Sequence, residues 1–263
     1  MKYLGGKQKI GRHIADAIIE VMPLMENVDG YLEPFCGALG VFVHMTSEFE
    51  DSVASDYHPD LIRLWKEVKS GNFVPPTSMT EEKYLELKHM TKVSAMKAFV
   101  GFGLAFGGRY FGSYAPKYTN GKKENFLREA SNSIKKIRRH ILNAEFHSKS
   151  YDKWKPVNKV IYCDPPYRNS KYPIKYRTGA KKYDVFDNDA FWETMREWSK
   201  ENYVFISEIN APDDFTCIFE KSSHRCVAQS TSTRFKNESI SHTTEKLYIH
   251  KSVQRRMILS LMG

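Results

Sequence analysis

The sequence predicts an α/β protein in which a mostly helical segment interrupts a largely parallel sheet. Over the first 71 residues, helical and strand-like patterns follow one another in the order helix, strand, helix, strand, helix. This alternation is typical of α/β folds. Strand-like runs return beyond residue 144, after a stretch with mostly helical spacing. We therefore expect one domain formed by residues 1–76 and 145–263, with residues 77–144 as an insertion.

The first half of the predicted sheet domain contains two strands between three helices. Residues 9–26 carry apolar positions at helical spacing, and the run at 41–49 is compatible with a second helix. Residues 30–35 predict a strand that leads into the glycine turn CGALG, and residues 52–56 predict another. The segment PDLIRLWKEVKSG predicts an amphipathic helix with Gly71 beyond its end.

The second half is richer in strand-like patterns. The predicted strands are AEFHSKS (144–150), KVIYC (159–163), YVFISE (203–208), RCVAQST (225–231) and KLYIHKS (246–252). Between two of them, Asp187–Lys200 predicts a helix with Asp or Asn at its N-cap. The strand at 203–208 ends in Ser207 and Glu208, for which a pocket-lining role and a structural role are equally open.

Composition points to a polyanionic partner. The chain has 263 residues and a net charge of +9, with 41% hydrophobic residues that suffice for a real core. Nucleic acid is the simplest such partner, although a basic membrane-binding protein would have similar charge. No apolar stretch approaches the ~18 residues of a membrane span, so we expect no membrane partner. The four cysteines lack CxxC spacing and the nine histidines lack HxxxH or HExxH spacing, so we expect no metal site.

A glycine turn and an acid follow the first two predicted strands. Gly37 and Gly40 form the turn, and Asp56 ends the second strand 19 residues after Gly37. In open parallel sheets, ligands bind at the carboxyl ends of strands, and an acid about 20 residues after such a turn holds a ribose hydroxyl. The turn lacks GxGxxG, which favours an adenosine ligand without phosphates. A tight strand-to-helix turn without a ligand remains the alternative.

The strand at 159–163 ends in the motif Asp164-Pro165-Pro166-Tyr167. The prolines fix φ and lack N–H groups, so the turn is rigid and its carbonyls can accept hydrogen bonds. A carboxylate with a carbonyl can satisfy both N–H groups of an exocyclic amine, and the tyrosine ring offers a face for a base. The alternative is a turn in which the aspartate caps its own backbone. The position after a strand, in a basic chain, favours a site for an amino-bearing base.

Several motifs together resemble the D12 class of DNA adenine-N6 methyltransferases, the Dam-type enzymes. They are KYLGGK at 2–7, EPFCGALGVF at 33–42, VASDYHPDLI at 53–62 and VIYCDPPY at 160–167, in the order of the family. The stretches at 106–116 and 205–212 are similar to phage-type members. The resemblance implies a Rossmann-like S-adenosylmethionine-dependent methyltransferase sheet, in which the insertion reads the target DNA.

The resemblance also implies the roles of individual residues. Lys7 would meet the carboxylate of the cofactor S-adenosyl-L-methionine, and Asp56 would meet its ribose. The residues assigned to the cofactor are Tyr3, Lys7, Glu33, Phe35, Gly37, Gly40, Asp56, Ser150, Tyr151 and Asp164. Ser150 and Tyr151 stand where many members have Asp and Phe, so the acid of that pair is missing here. The catalytic set is Asp164, Pro165, Pro166 and Tyr167, acting on an adenine flipped out of the duplex.

Two segments are expected to contact DNA. Basic residues interleaved with tyrosines follow the DPPY motif and suit phosphate contact and stacking: Arg168, Lys171, Lys175 and Arg177. A solvated loop that only aids solubility is the alternative there. Within the insertion, the candidates are Arg109, Tyr110, Tyr114, Lys117, Asn120, Lys122 and Lys123. Arg to guanine and Asn to adenine are the usual major-groove pairings.

We therefore predict a DNA methyltransferase that acts on the N6 amino group of adenine in double-stranded DNA, in the cytoplasm of a bacterial or phage-infected cell. Related enzymes that methylate cytosine N4, RNA adenine or a glutamine amide share this motif pattern. A DNA-binding protein without catalysis is the alternative from another class. We expect a monomer in solution and leave a dimer on DNA open.

Overall fold

The fold is built around one mixed sheet with helices on both faces. A computed structural model describes residues 1–114, 118–119, 122–123, 125–166, 186–225 and 241–262. In these ranges the strands are Gly30–Glu33 (β1), Ser52–Asp56 (β2), Tyr118–Thr119 (β3), Lys122–Lys123 (β4), Glu145–Ser148 (β5), Lys159–Cys163 (β6), Tyr203–Glu208 (β7), Phe215–Arg225 (β8) and Ser241–His250 (β9). The helices are Gly11–Val21 (α1), Phe42–Met45 (α2), Pro59–Ser70 (α3), Glu81–His89 (α4), Ala95–Gly103 (α5), Phe126–Arg138 (α6), Asn188–Trp198 (α7) and Lys251–Ser260 (α8).

The strand order of the main sheet is β5-β2-β1-β6-β7-β9-β8. Neighbouring strands from β5 to β7 are parallel, whereas β9 is antiparallel to both β7 and β8. Along the chain, the sheet grows outward from β1 through β2 to β5 and then from β6 to β7 on the other side. The order therefore reverses between β1 and β6, where open α/β sheets bind their ligands. The predicted Rossmann-like sheet is confirmed.

Alternating side chains of the central strands enter two separate hydrophobic clusters. Val160 and Tyr162 of β6 belong to one cluster, and Ile161 and Cys163 belong to the other. Because side chains alternate between the faces of a strand, each face of the sheet is covered by its own layer. Helices α1, α3, α5 and α6 contribute to the first cluster, and α7 contributes to the second.

Local sequence signals explain where the best-predicted helices begin and end. The His58 side chain accepts a hydrogen bond from Leu61 N at the start of α3, and Pro59 occupies the first turn. Gly71 ends that helix in the left-handed conformation, with a φ of 81°. At α7, Asp187 accepts a hydrogen bond from Ala190 N and so serves as the N-cap that the sequence suggested.

The carboxyl-terminal part of the chain differs from the prediction. Residues 215–225 form β8, although their pattern suggested no strand, and a bulge between Cys217 and Phe219 breaks their alternation. The predicted strand at 225–231 lies outside the described residues except for Arg225. The strand predicted at 246–252 ends at His250, whose side chain accepts from Ser252 N and begins α8. In the described parts of the chain, no helix is both long and apolar enough to cross a bilayer.

The predicted insertion contains α4, α5 and α6 together with the short β3–β4 pair. Phe99 and Phe102 of α5 lie in the same hydrophobic cluster as Ile14 of α1 and Trp65 of α3. The helices of the insertion are thus packed directly onto one face of the sheet domain. The division into residues 1–76, 77–144 and 145–263 stays a prediction.

Candidate active site

Acidic side chains gather at the carboxyl edge of the parallel strands. Each of four neighbouring parallel strands ends in an acid or is followed directly by one: Glu33 (β1), Asp56 (β2), Asp164 (after β6) and Glu208 (β7). Because the strands are parallel, their carboxyl ends lie at one edge of the sheet. Glu33 and Asp164 flank the point where the strand order reverses, which is where the sequence placed the site.

Lys7 joins Asp164 to a carboxylate of the last strand. Its Nζ lies 2.7 Å from Asp164 Oδ1 and 3.3 Å from Glu245 Oε1. Only 7% of the Lys7 side chain is exposed, against 18% for Asp164 and 17% for Glu245. Lys7 therefore contacts the acid of the DPPY motif directly. Its predicted contact with the cofactor carboxylate stays a prediction.

The pKa values of these groups reflect burial and mutual charge. Burial raises the pKa of Asp164 to about 6, while the Lys7 ammonium lowers it and the charge of Glu245 raises it. Burial lowers the pKa of Lys7, but the charges of Asp164 and Glu245 outweigh this and hold that pKa above its usual value. At neutral pH the Asp164 carboxylate is thus mostly ionised beside a cationic lysine.

Asp56 holds the glycine turn in place. Its Oδ2 accepts a hydrogen bond from Gly37 N at 3.0 Å, and its Oδ1 accepts one from His58 N at 2.8 Å. Burial raises the pKa of Asp56 to about 6, against these two hydrogen bonds, which lower it. The indole of Trp65 donates to the Gly37 carbonyl at 2.9 Å. The turn after β1 is therefore fixed from both sides, and the ribose contact of Asp56 stays a prediction.

Glu33 is the most deeply buried acid of this edge, with 2% exposure. The Tyr31 hydroxyl donates to Glu33 Oε2 at 2.9 Å. Burial raises the pKa of Glu33 well above its usual value despite this hydrogen bond, and the charges of Asp164 and Asp56 raise it further. These effects favour the neutral form of Glu33.

Tyr3 lies between the glycine turn and the insertion. Its ring is 4.9 Å from the ring of Phe102 on α5. Gly37 has a φ of +44°, and a Cβ there would lie 3.0 Å from the Tyr3 ring, so this turn needs glycine both for its backbone and for space. A Cβ on Gly40 would similarly lie 2.9 Å from the Lys7 carbonyl carbon. Both glycines of the turn thus touch the two predicted cofactor residues of the N-terminal motif.

Phe35 and Tyr151, both predicted cofactor residues, belong to one aromatic group. Their ring centroids are 5.2 Å apart, and Phe186 and Phe191 pack against both rings. Both predicted residues are partly exposed, as is the neighbouring Ser150. Because Phe35 lies two residues after Glu33 and Phe191 lies on α7, the group forms an apolar wall beside the acidic edge, on the side of β1 and α7.

The rest of the DPPY motif is described only in part. Pro165 is buried and Pro166 is partly exposed. Tyr167 and the basic residues Arg168, Lys171, Lys175 and Arg177 lie outside the described residues. Their predicted stacking and phosphate contacts stay predictions.

The predicted DNA-binding residues of the insertion have different surroundings. Arg109 is exposed, whereas the Tyr110 hydroxyl donates to buried Asp60 at 2.7 Å. The Tyr114 hydroxyl donates to the Met79 carbonyl at 2.6 Å. Both tyrosines therefore have a structural contact in addition to any with DNA. Lys117 and Asn120 lie outside the described residues, and of Lys122 and Lys123 only the backbone, in β4, is described.

Sequence reasoning named Glu208 only as a pocket-lining candidate and missed Glu245. Glu208 carries a local signal, since it ends a buried strand. Glu245 lies within a strand whose start was not predicted, so no local pattern marked it. Burial raises the pKa of Glu208 to about 7, the hydrogen bond from Ile209 N opposes this, and the charge of Asp164 adds to it.

The chemistry of this edge fits a cationic adenosine cofactor. Asp56, Asp164 and Glu245 outnumber Lys7, so the edge is negative even with Glu33 neutral. S-adenosylmethionine carries a sulfonium charge, which such an edge attracts. Asp56 and the residues Tyr3 and Lys7 would hold it at the glycine turn, with Phe35 and Tyr151 beside it.

Residues 3–100 match the family model of the D12 class N6 adenine-specific DNA methyltransferases. The DNA adenine methylase of Vibrio cholerae (strain ATCC 39541) is 24% identical over 233 residues, which cover 78% of each chain. These two matches support the activity of an S-adenosylmethionine-dependent N6 adenine-specific DNA methyltransferase.

Other similar proteins match less of the chain or have low sequence identity. The type II methyltransferase M.CviBI of the Paramecium bursaria Chlorella virus NC1A is 27% identical over 94 residues, 34% of each chain. Among solved structures, the rRNA methyltransferase aviRa from Streptomyces viridochromogenes has a TM-score of 0.39 and 9% identity, covering 95% of this chain and 87% of its own. The supported activity uses S-adenosylmethionine as the methyl donor and DNA as the substrate.

Proposed function

We propose that this D12-class methyltransferase modifies adenines within a specific sequence of double-stranded DNA, and that the target adenine is flipped into the carboxyl edge of the sheet. The placement of Asp164 at the reversal point of the sheet, in contact with Lys7 at 2.7 Å, carries this proposal. A paired adenine hides its amino group within the duplex, so the base must leave the stack to reach a carboxylate at the bottom of a crevice.

Asp164 and Pro165 hold the target amino group in this proposal. The carboxylate accepts one N6 hydrogen, the Pro165 carbonyl accepts the other, and the nitrogen lone pair is left to face the methyl group. S-adenosylmethionine supplies an electrophilic methyl group on its sulfonium. Asp164 is then placed to stabilise the positive charge that develops on N6 and to take the proton that N6 releases. Positioning of the two reactants supplies most of the rate acceleration.

The remaining roles follow the family motifs. The cofactor set is Tyr3, Lys7, Glu33, Phe35, Gly37, Gly40, Asp56, Ser150 and Tyr151, and Tyr167 stacks on the flipped base. Residues 1–76 and 145–263 form the catalytic domain, and residues 77–144 read the DNA sequence. Motif similarity at 106–116 and 205–212 supports a phage-like member. In this proposal the protein acts as a monomer in the cytoplasm of a bacterial or phage-infected cell.

The test is methyl transfer from labelled S-adenosylmethionine to duplex DNA, single-stranded DNA or RNA. We expect label to appear as N6-methyladenine in duplex DNA, and sequencing of the methylated adenines to return one short motif. Label spread over adenines without a motif would contradict site specificity. Faster transfer to single-stranded DNA or RNA would contradict the duplex as the preferred substrate.

Substitution of the catalytic acid tests the mechanism. We expect Asp164→Asn to lower kcat by a factor on the order of 10²–10³, because the amide cannot take the N6 proton or stabilise positive charge. Asp16→Asn is a matched control, since Asp16 is an exposed acid on α1 that pairs with Arg12. Turnover of Asp164→Asn at the rate of the Asp16→Asn control would remove Asp164 from the reaction.

A further inference from the structure

Lys7 contacts two carboxylates. One is Asp164 of the DPPY motif, which directly follows β6, and the other is Glu245 of β9. We propose that Glu245 of β9 is a positioning residue for methyl transfer: it fixes the Lys7 ammonium against Asp164 and sets the charge beside the target nitrogen. This inference rests on the proposed role of Asp164 in the reaction. Lys7, Asp164 and Glu245 are called the ion triad below.

Strand geometry directs Glu245 toward Lys7. Side chains alternate along a strand, so Glu245 shares a face of β9 with Leu247 and Ile249. Both of these residues are buried in the hydrophobic cluster that also contains Ile14 of α1. Lys7 lies in the turn that leads into α1, and its carbonyl accepts hydrogen bonds from Ile10 N and Gly11 N. Glu245 therefore points to the side of the sheet from which Lys7 reaches Asp164.

The backbone of Lys7 is held independently of its side chain. Its carbonyl accepts from Ile10 N at 3.0 Å and from Gly11 N at 2.6 Å. The Gly40 Cα approaches so closely that a Cβ there would lie 2.9 Å from the Lys7 carbonyl carbon. With the backbone fixed, both carboxylates act on the direction in which the ammonium points. Removal of Glu245 would leave it with Asp164 as the remaining partner of the triad.

The charge of Glu245 acts on Asp164 as well. The two carboxylates are no more than about 6 Å apart, since both contact one ammonium nitrogen at 2.7 and 3.3 Å. In the described part of the chain, the other titratable groups on which the triad's charges act are Glu33 on β1, Tyr162 and Cys163 on β6 and Glu208 on β7. Lys7 is the cation among them, and with both triad carboxylates ionised the triad carries one net negative charge. That charge favours the positive charge that develops on N6 during transfer.

Two substitutions separate the charge of Glu245 from its hydrogen bond. Glu245→Gln keeps an oxygen that accepts from Lys7 but removes the charge that raises the pKa of Asp164. We expect the acidic limb of the kcat–pH profile to move to lower pH by about one unit. Glu245→Ala removes the acceptor too, and we expect kcat at pH about 8 to fall about 10-fold, with a clearly smaller loss of cofactor affinity because the Lys7 backbone stays fixed.

The matched control is Glu220→Gln, which removes an exposed acid from the neighbouring strand β8. Glu220 pairs with Lys246 of β9. We expect its pH profile to coincide with that of the unsubstituted protein. A second readout needs no turnover: titration of the Asp164 side-chain carboxyl carbon by 13C NMR in the cofactor-free protein. We expect the midpoint of the Asp164 titration to be lower in Glu245→Gln. The decrease should equal the shift of the acidic limb of the kcat–pH profile.

The outcomes distinguish this inference from the proposed function. If the unsubstituted protein transfers no methyl group to DNA, the proposed function fails, while the NMR titration still tests the coupling of Glu245 to Asp164. If the midpoint of Asp164 is the same in Glu245→Gln and in Glu220→Gln, the inference is overturned. It is also overturned if Glu245→Ala weakens cofactor binding as much as it lowers kcat, because that result assigns Glu245 to the cofactor.

Discussion

Glu208 is a buried acid whose pKa lies above its usual value. It ends β7 with 6% exposure, and its Oε1 accepts a hydrogen bond from Ile209 N at 2.8 Å. Burial raises the pKa of Glu208 to about 7, the hydrogen bond from Ile209 opposes this, and the charge of Asp164 adds to it. Because the folded pKa lies above the unfolded one, ionisation of Glu208 costs stability as the pH rises through about 7.

We therefore expect Glu208→Gln to stabilise the protein at pH about 8 and to have little effect at pH about 5, where the folded protein already holds Glu208 neutral. The gain in unfolding free energy at pH about 8 should be on the order of 1–3 kcal/mol. Thermal unfolding at both pH values measures it, with Glu220→Gln as the exposed control. A difference in Tm that is the same at both pH values would show that Glu208 does not change its ionisation on folding.

At the scale of elements, the first eight residues connect the predicted insertion to Asp164. Lys2 Nζ lies over the Phe126 ring of α6 at 3.2 Å, and Leu4 N donates to the Gly108 carbonyl at 3.1 Å. Lys7 then reaches Asp164. A Cβ on Gly108 would overlap the backbone nitrogen of Tyr3. The close contact between this segment and the turn at 106–108 thus depends on a residue without a side chain.

Two adjacent glycines allow a matched test of that contact. Gly107 and Gly108 have nearly the same φ, +66° and +70°, but a Cβ on Gly107 would meet no atom within 4 Å. Both alanine variants carry the same backbone strain, so we expect Gly108→Ala to lose about 1–3 kcal/mol more unfolding free energy than Gly107→Ala. Urea unfolding measures both. Equal losses would mean that the N-terminal segment is not held by this turn.

At the scale of the whole molecule, the charge of +9 contrasts with the acidic edge of the sheet. The positive charge therefore lies mainly away from this edge, where the sugar–phosphate backbone of the target nucleotide remains in the proposed function. Each phosphate contact releases condensed counterions, so the affinity for DNA should fall steeply with salt. Arg109 is exposed beside the turn at 106–108 and is one of the exposed arginines that the predicted insertion offers for such a contact.

We expect Arg109→Ala to weaken DNA binding and to reduce the slope of log K against log [salt] by about one. Fluorescence anisotropy with labelled duplex at several salt concentrations measures the slope. Arg255→Ala is the control, because Arg255 is exposed on α8. This helix begins at the end of the sheet opposite to the carboxyl ends of the parallel strands. An unchanged slope in Arg109→Ala with weaker binding only to the specific sequence would instead assign Arg109 to a base.

Local patterns predicted the parallel core well. The strand at 159–163 was predicted with its observed bounds, because a short run of apolar residues between polar flanks is typical of a buried strand. The predicted sites Glu33, Asp56 and Asp164 came together because strand ends are local and parallel strands share an edge. β8 was missed because its bulge and its polar residues break the alternation. Glu245 was missed because its partner Lys7 lies more than 200 residues away in the chain.

The position of β9 has a consequence for how the chain reaches its native state. β9 follows β8 in the chain but lies between β7 and β8 in the sheet. During synthesis, β7 therefore exposes the N–H and C=O groups of one edge until residues 241–250 have left the ribosome. An open edge next to buried residues such as Ile206 can pair with another chain. A nascent chain that stops before β9 is thus prone to aggregate, although it already carries the whole DPPY motif.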